Sequence, residues 1–145
     1  MNNTINKNIL TCIFTFCKNK HLSSCIEKVK MFENTNLIKI GQCEDVVVCL
    51  VNGDIVKTKM FEDFVEGGND AVYGKKNGEV AKFMPENQVW LDANLDINSI
   101  PYVCLHELLE RYYMTAHKLH YEKAHEKADA IEMKLREKKV FENCH

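Results

Sequence analysis

The pattern of hydrophobic and polar positions changes along the chain, from strand-like segments in the first half to helical ones at the end. The apolar segment from Ile9 to Phe16 is rich in Ile, Thr and Phe, which predicts a first strand. Ser24 followed by Glu27 forms a capping-box pattern ahead of spaced apolar residues, which predicts a short helix over residues 24–33.

The clearest turn signal lies in the middle of the chain. Asn52-Gly53 separates the segments 45–51 and 54–60, and Asn-Gly accepts the positive φ angles that a tight hairpin needs. A second, weaker hairpin is predicted over residues 72–83, where a Gly-containing turn separates two short apolar segments. Residues 89–91 are then predicted as a short strand.

Two helices are predicted to end the chain. The first begins after Asn98 or Ser99, either of which can cap it, and runs to about Lys118. The second runs over about 121–138. Its apolar residues recur at steps of three and four and predict one buried stripe, Tyr121, Ala124, Ala128, Ile131 and Leu135. Strands followed by helices predict the α+β class, with an antiparallel sheet of hairpins packed against a C-terminal two-helix hairpin.

Composition indicates a single globular domain over residues 1–145, with residues 1–8 expected to be frayed. Hydrophobic residues make up 46% and charged residues 28%, which is typical of a folded globular chain. The formal net charge of −2 argues against a protein that binds nucleic acid by neutralising phosphates. No segment approaches the ~20 apolar residues of a membrane span, and no small-residue cleavage site follows residues 9–16. We therefore expect neither a membrane nor a nucleic-acid partner.

The chain has seven cysteines at irregular spacing. An odd number predicts reduced thiols, hence a reducing, cytoplasmic environment in which none of them is disulfide-bonded. Cys12, Cys17, His21 and Cys25 lack the short Cys-x-x-Cys pairs of a typical zinc site, and Ser24 among them is better explained as a helix cap.

The candidate chemistry lies on the two C-terminal helices. His106 and Glu110 are four residues apart and therefore share one largely apolar helical face. A carboxylate on such a face is costly unless it is paired or binds a metal. The small side chains of Ala124 and Ala128 allow the second helix to approach closely, so that His125 can reach the other two residues. Two imidazoles and a carboxylate form the three-ligand set of an open catalytic zinc site.

The pairing of His106 with Glu110 does not by itself require a metal, since a hydrogen bond between the two side chains also accounts for it. The third ligand is open as well, because Glu122 and Glu132 are carboxylates on the same helix as His125. A histidine further along the first helix is a weaker candidate. His117 lies eleven residues after His106, about 16 Å along the axis at about 1.5 Å per residue, so it is expected at the surface together with His120.

The stretch His106-Glu107-Leu108-Leu109-Glu110 follows a strand (88–95) and resembles the His-Glu-x-x-His/Glu core of zincin-type metallopeptidases. It is most similar to the small ImmA/IrrE-like group. The resemblance implies that His106 is a zinc ligand, that Glu107 is the general base activating a zinc-bound water, and that the next helix supplies a third ligand. Where that family has its second histidine this chain has Glu110, which lowers the net charge of the site and weakens the activation of water.

The resemblance implies a zinc-dependent hydrolase acting on a peptide bond, with a strand-helix-helix metal unit over residues 88–138. Arg111 or a nearby tyrosine is expected to stabilise the oxyanion, and Trp90 to lie on or near the edge strand that pairs with the peptide or protein substrate. Zinc is favoured by the nitrogen and oxygen ligands, with manganese or iron as alternatives. The competing hypothesis is a non-enzymatic metal-binding or protein-interaction module, since the stretch from His106 to Glu132 is also similar to small uncharacterised phage or viral proteins.

Overall fold

Five helices and one sheet make up the part of the chain described by the computed structural model, which comprises residues 7–18, 22–60, 67–68, 85 and 87–142. The helices are α1 (Lys7–Cys17), α2 (Leu22–Lys30), α3 (Gly53–Lys59), α4 (Ile100–Thr115) and α5 (Tyr121–Glu137). The strands are β1 (Ile38–Cys43), β2 (Val46–Val51), β3 (Gly67–Gly68) and β4 (Gln88–Asp92). The weaker hairpin predicted over residues 72–83 lies outside the described residues.

The sheet is mixed, with the strand order β1-β2-β4-β3. β1 and β2 are antiparallel, and so are β3 and β4, whereas β2 and β4 run parallel with Val47 opposite Gln88 and Val51 opposite Asp92. The predicted purely antiparallel sheet was therefore wrong. The reason is that the chain does not turn back after β2 but continues into α3, and the neighbour of β2 comes much later in the sequence, as a parallel pair requires.

The Asn52-Gly53 dipeptide begins α3 and does not form the predicted hairpin. Asn52 Oδ1 accepts a hydrogen bond from the backbone N–H of Asp54 at 3.1 Å, which caps the helix. The backbone N–H of Gly53 donates to Asp92 Oδ1 at 2.9 Å, so the carboxylate at the end of β4 satisfies the start of the helix. These contacts with a distant part of the chain outweigh the local turn preference of Asn-Gly.

The segment predicted as a first strand is a helix, α1. Its buried residues Ile9, Ile13, Phe16 and Cys17 recur at helical spacing, and the helix packs against β1 and α4. The prediction was wrong because it followed the β propensity of Ile, Thr and Phe, which burial on one helical face overrides. α1 already includes Lys7 and Asn8, which were expected to be frayed. The helix predicted over residues 24–33 is present as α2 (Leu22–Lys30), but Ser24 lies within its first turn, so the prediction that Ser24 caps the helix was wrong.

The two C-terminal helices form the predicted hairpin and pack on the sheet. α4 begins after Ser99 and is the central helix, since ten of its 16 residues are buried and it contacts α1, β4 and α5. In the predicted stripe of α5, Ala124, Ala128 and Leu135 are buried, while Tyr121 and Ile131 are half-buried. The α+β class and the helical hairpin are thus confirmed. None of the helices in the described ranges combines the length and the apolarity that a bilayer crossing requires.

The cysteines follow the prediction of reduced thiols only in part. Cys17 is disulfide-bonded, so the prediction that none of the seven cysteines is bonded was wrong. The free thiols within the described residues are Cys12, Cys25, Cys43, Cys49 and Cys104. Burial raises the pKa of Cys43 to about 12 and that of Cys49 to about 11, so these two thiols remain protonated and pack as small apolar groups.

Candidate metal centre

The space between α4 and α5 contains His106, Glu110 and His125. The first two lie one helical turn apart on α4 and are almost fully buried, with exposed fractions of 6% and 2%. Ala124 and Ala128 are fully buried, and their small side chains let α5 lie directly against α4, which brings His125 over the other two residues. The side chain of His125 is 39% exposed, so the cluster is closed towards the core and open towards solvent on the α5 side.

One potential metal-ligand atom from each of the three side chains forms a compact triangle. Glu110 Oε2 lies 3.0 Å from His106 Nε2 and 2.8 Å from His125 Nδ1, and these two ring nitrogens are 3.2 Å apart. Metal–ligand bonds of about 2.0–2.2 Å at tetrahedral angles place neighbouring ligand atoms about 3.3–3.6 Å apart, so the triangle is slightly tighter than an occupied zinc site and a small outward movement of the side chains gives it the dimensions of one. The group could hold a metal ion. The same distances also suit hydrogen bonds between the side chains.

The outer nitrogens of both rings face further carboxylates. His106 Nδ1 lies 3.0 Å from Glu132 Oε1 and 3.3 Å from Asp129 Oδ1. His125 Nε2 lies 3.3 Å from Asp129 Oδ2. His106, Asp129 and Glu132 form a second group that could hold an ion. No atom of the described residues gives His106 Nδ1 a hydrogen bond of good geometry, so the ring and these carboxylates are close but not aligned.

The carboxylates make His106 strongly basic in the metal-free protein. Burial by itself lowers the pKa of His106, but the contacts with Glu110 and Glu132 and the charge of Glu107 outweigh it and raise the pKa to about 10. The attraction to Glu132 acts at 3.0 Å without an aligned hydrogen bond. The pKa of Glu132 is correspondingly lowered, because its contacts with His106 and Arg136 outweigh its burial. Without a metal, His106 is therefore an imidazolium between carboxylates at neutral pH.

The stability of the metal-free protein should consequently depend on pH. The pKa of His106 is about 10 in the folded state and 6.5 in its unperturbed state, so folding strengthens proton binding. The stabilisation from this proton is complete below pH 6.5 and is lost as the pH rises towards 10. Urea unfolding of the metal-free protein across this range should show a declining free energy of unfolding. His106→Gln should flatten that decline, and an identical decline in the variant would contradict the assignment.

Glu107 is half-buried beside His106 and contributes no atom to either group of potential ligands. Its charge raises the pKa of His106, and it adds to burial, the main cause, in raising the pKa of Cys104. This position agrees with a residue that lies beside a metal without binding it. Its role as a general base stays a prediction.

The remaining candidate ligands are separated from the triangle. Glu122 is exposed and belongs to neither group. Glu132 faces the outer nitrogen of His106 and not the triangle itself. His117 is exposed, with Nε2 3.3 Å from the hydroxyl of Tyr112, and His120 is exposed at the start of α5. Among the third-ligand candidates named from the sequence, the structure brings His125 to His106 and Glu110.

The residues expected to bind a substrate lie elsewhere. Arg111 lines a surface cavity of about 110 Å³ between α1, the β1–β2 turn and α4, and none of the residues around that cavity belongs to the metal centre. Trp90 packs with Cys49 and Val56 on the face of the sheet opposite to α4. Its strand lies between β2 and β3, so Trp90 is not on an edge strand but pairs with Gly67 of one, which agrees with the expectation that it lies on or near an edge strand.

Two residues of the centre were not identified from the sequence. Asp129 contacts both imidazoles, and the ring of Tyr121 stacks on His125 at 5.5 Å between centroids. The spacing of His125, Asp129 and Glu132, at steps of four and three on α5, was a signal that could have indicated Asp129. Tyr121 was assigned to the buried stripe, and its ring lies against the His125 ring of the centre.

No protein-family model, no curated protein and no solved structure matches this chain.

Proposed function

We propose that this protein is a divalent-metal-dependent hydrolase whose metal ligands are His106, Glu110 and His125. The observation that supports it is the triangle of donor atoms, in which no two atoms are more than 3.2 Å apart. Three nitrogen and oxygen ligands with a side open to solvent are characteristic of catalytic zinc sites, whereas structural zinc sites are closed by four. Zinc is the metal that this ligand set favours, with manganese or iron as alternatives.

A cation bound in the triangle supplies Lewis acidity and lowers the pKa of a coordinated water. Glu107 is the residue that accepts the proton of the attacking water, because it lies beside His106 without entering the ligand group. Glu110, Asp129 and Glu132 make the surroundings acidic, which favours retention of a cation. The same negative charge reduces the Lewis acidity of the site compared with one built from three neutral histidines.

A peptide bond is the substrate implied by the resemblance to zincin-type metallopeptidases. The substrate would approach over α5, since the side chains of His125 and Asp129 are 39% and 55% exposed there, whereas the α4 side of the cluster is buried. Tyr121, stacked on His125, lies at this opening and is the tyrosine placed to contact the reacting carbonyl. Pairing of the peptide with the strand of Trp90 is not part of the proposal, since both sides of that strand are occupied.

A non-enzymatic role is the second candidate, and one observation favours it. His106, Glu110 and His125 also lie at hydrogen-bonding distances from one another, and Arg136 Nε donates to Glu132 Oε2 at 2.7 Å. The cluster can therefore join α4 to α5 as a polar network without a metal. The protein would then be a binding module whose cluster serves its fold.

Glu107→Gln separates these two functions. In zinc-loaded protein we expect the variant to keep its metal and to lose hydrolysis by about 10²–10⁴-fold, since it removes a proton acceptor but not a ligand. Hydrolysis is measured on a mixture of fluorogenic peptides, and metal content by elemental mass spectrometry. Glu126→Gln, which removes an exposed carboxylate from α5, is the matched control and should remain fully active. Equal activity of Glu107→Gln and the control, or zinc-loaded wild-type protein that cleaves no peptide in the mixture, would reject the peptide hydrolase.

A further inference from the structure

We propose that Asp129 positions both imidazoles of the metal centre, so that His106 binds the metal through Nε2 and His125 through Nδ1. This inference rests on the proposed metal centre and assigns the outer carboxylates their role in it. Its basis is that the two oxygens of one carboxylate face two different rings, with Oδ1 3.3 Å from His106 Nδ1 and Oδ2 3.3 Å from His125 Nε2.

Each imidazole has one nitrogen directed into the triangle and one directed out of it. The inner nitrogens are His106 Nε2 and His125 Nδ1, which lie 3.0 Å and 2.8 Å from Glu110 Oε2. A neutral imidazole that binds a metal through one nitrogen carries its proton on the other. A carboxylate opposite the outer nitrogen accepts that proton in a hydrogen bond, and this fixes both the tautomer and the orientation of the ring. Asp129 has one oxygen within 3.3 Å of the outer nitrogen of each ring, so a small rotation of its side chain would let it meet this requirement for both rings.

Glu132 supports the same arrangement on the side of His106. Its Oε1 lies 3.0 Å from His106 Nδ1, while its Oε2 accepts a hydrogen bond from Arg136 at 2.7 Å. The guanidinium of Arg136 is itself held over the ring of Tyr102, 4.7 Å from its centroid. Arg136 thus holds one oxygen of Glu132, and the other oxygen faces the outer nitrogen of His106. This makes Glu132 a positioning carboxylate and not a ligand of the same ion.

The buried outer nitrogen of His106, Nδ1, needs a hydrogen-bond partner, and the nearby carboxylates can provide one. His106 is 94% buried, and its Nδ1 has no hydrogen bond of good geometry among the described residues although two carboxylates lie within 3.3 Å. An unsatisfied buried donor or acceptor is costly. In the metal-free imidazolium Nδ1 already carries a proton, and binding of a metal at Nε2 displaces only the proton of Nε2. The proton of Nδ1 remains, and either carboxylate can accept it in a hydrogen bond after a small rotation.

Asp129→Asn tests the inference, with Glu126→Gln as a control that removes one negative charge from an exposed position of the same helix. We expect Asp129→Asn to retain one equivalent of zinc with about 10–100-fold weaker affinity, as is typical when a partner of a metal-bound histidine is lost. The control should keep wild-type affinity. Affinities are measured by competition with a chromophoric zinc chelator.

Long-range ¹H–¹⁵N spectra of zinc-loaded protein with ¹⁵N-labelled histidine show directly which ring nitrogen carries the proton. Wild-type protein should show protonated Nδ1 for His106 and protonated Nε2 for His125, and Asp129→Asn should alter both sets of signals. A variant merely weakened in its fold would lose stability without changing the nitrogen that binds zinc.

Three results would overturn the inference and leave the metal centre in place. They are wild-type affinity in Asp129→Asn, zinc bound through Nε2 of both histidines, and two equivalents of zinc in wild-type protein of which Asp129→Asn loses one. The last result would make Asp129 a ligand of a second ion together with His106 and Glu132. Wild-type protein that binds no zinc would overturn the metal centre and this inference with it, whereas normal affinity in Asp129→Asn rejects the positioning role alone.

Discussion

His106→Ala is expected to reduce bound metal from one equivalent to none. In the proposed site His106 is the buried ligand at the base of the triangle, and its loss leaves two of the three ligands, Glu110 and His125. Zinc at 100 to 1,000 times its dissociation constant stabilises a folded protein by about 2.7–4.1 kcal/mol, and the variant should lose this increment completely. Elemental analysis gives the metal content, and thermal unfolding with and without zinc gives the increment.

His106→Gln is a second variant for the case that His106→Ala does not fold, since glutamine keeps a polar group between the carboxylates. It should lose the metal as well. His117→Ala is the matched control, because His117 is an exposed histidine whose contacts are with Tyr112 and Tyr113 and not with the centre. His125→Ala should behave like His106→Ala. Full metal content in a folded His125→Ala protein would show that the third ligand lies elsewhere.

Gly53→Ala is expected to destabilise the fold by about 2–4 kcal/mol, which combines the usual cost of overpacking with the loss of a hydrogen bond to a charged group. A Cβ at residue 53 would overlap Asp92 Oδ2 and lie 2.7 Å from Oδ1. The carboxylate cannot easily retreat, because its Oδ1 accepts hydrogen bonds from Gly53 N and from both Asn94 N and Asn94 Nδ2, at 2.9–3.0 Å. Urea unfolding measures the loss.

Gly41→Ala provides a graded comparison, because its Cβ would approach Phe16 Cβ to 3.2 Å without overlap. It should cost less than Gly53→Ala. The double variant Gly53→Ala/Asp92→Ala should cost less than the sum of the two single changes, since removal of the carboxylate makes room for the added methyl group. Wild-type stability of Gly53→Ala, or strict additivity with Asp92→Ala, would contradict this account of the β2–α3 junction.

The parts of the fold that could be predicted are those determined by local periodicity. The stripe of α5 and the start of α4 after Ser99 depend on residues close together in the sequence, and both helices are present. Asn52-Gly53 was misassigned because its decisive partner, Asp92, lies 39 residues away. The parallel pairing of β2 with β4 depends in the same way on a partner that no local pattern reveals.

In the candidate site, too, the features that could be predicted are those that depend on local spacing along a helix. Helical spacing was enough to place His106 beside Glu110, and the small residues of α5 were enough to bring His125 to them. Arg111 could not be placed by adjacency in sequence, because one residue is about 100° around a helix and turns its side chain towards another surface. The function of Asp129 depends on the orientation of two rings, which only the packed helices define.

The central claim is that this chain binds a metal between α4 and α5, and the metal content of wild-type protein purified without chelators tests it most directly. We predict about one equivalent of a divalent metal, zinc by preference, from the three ligands of the triangle. Chelation should lower the melting temperature, and added zinc should restore it. Protein that contains no metal and gains no stability from zinc would contradict the claim, and His106, Glu110 and His125 would then form a polar network that joins two helices.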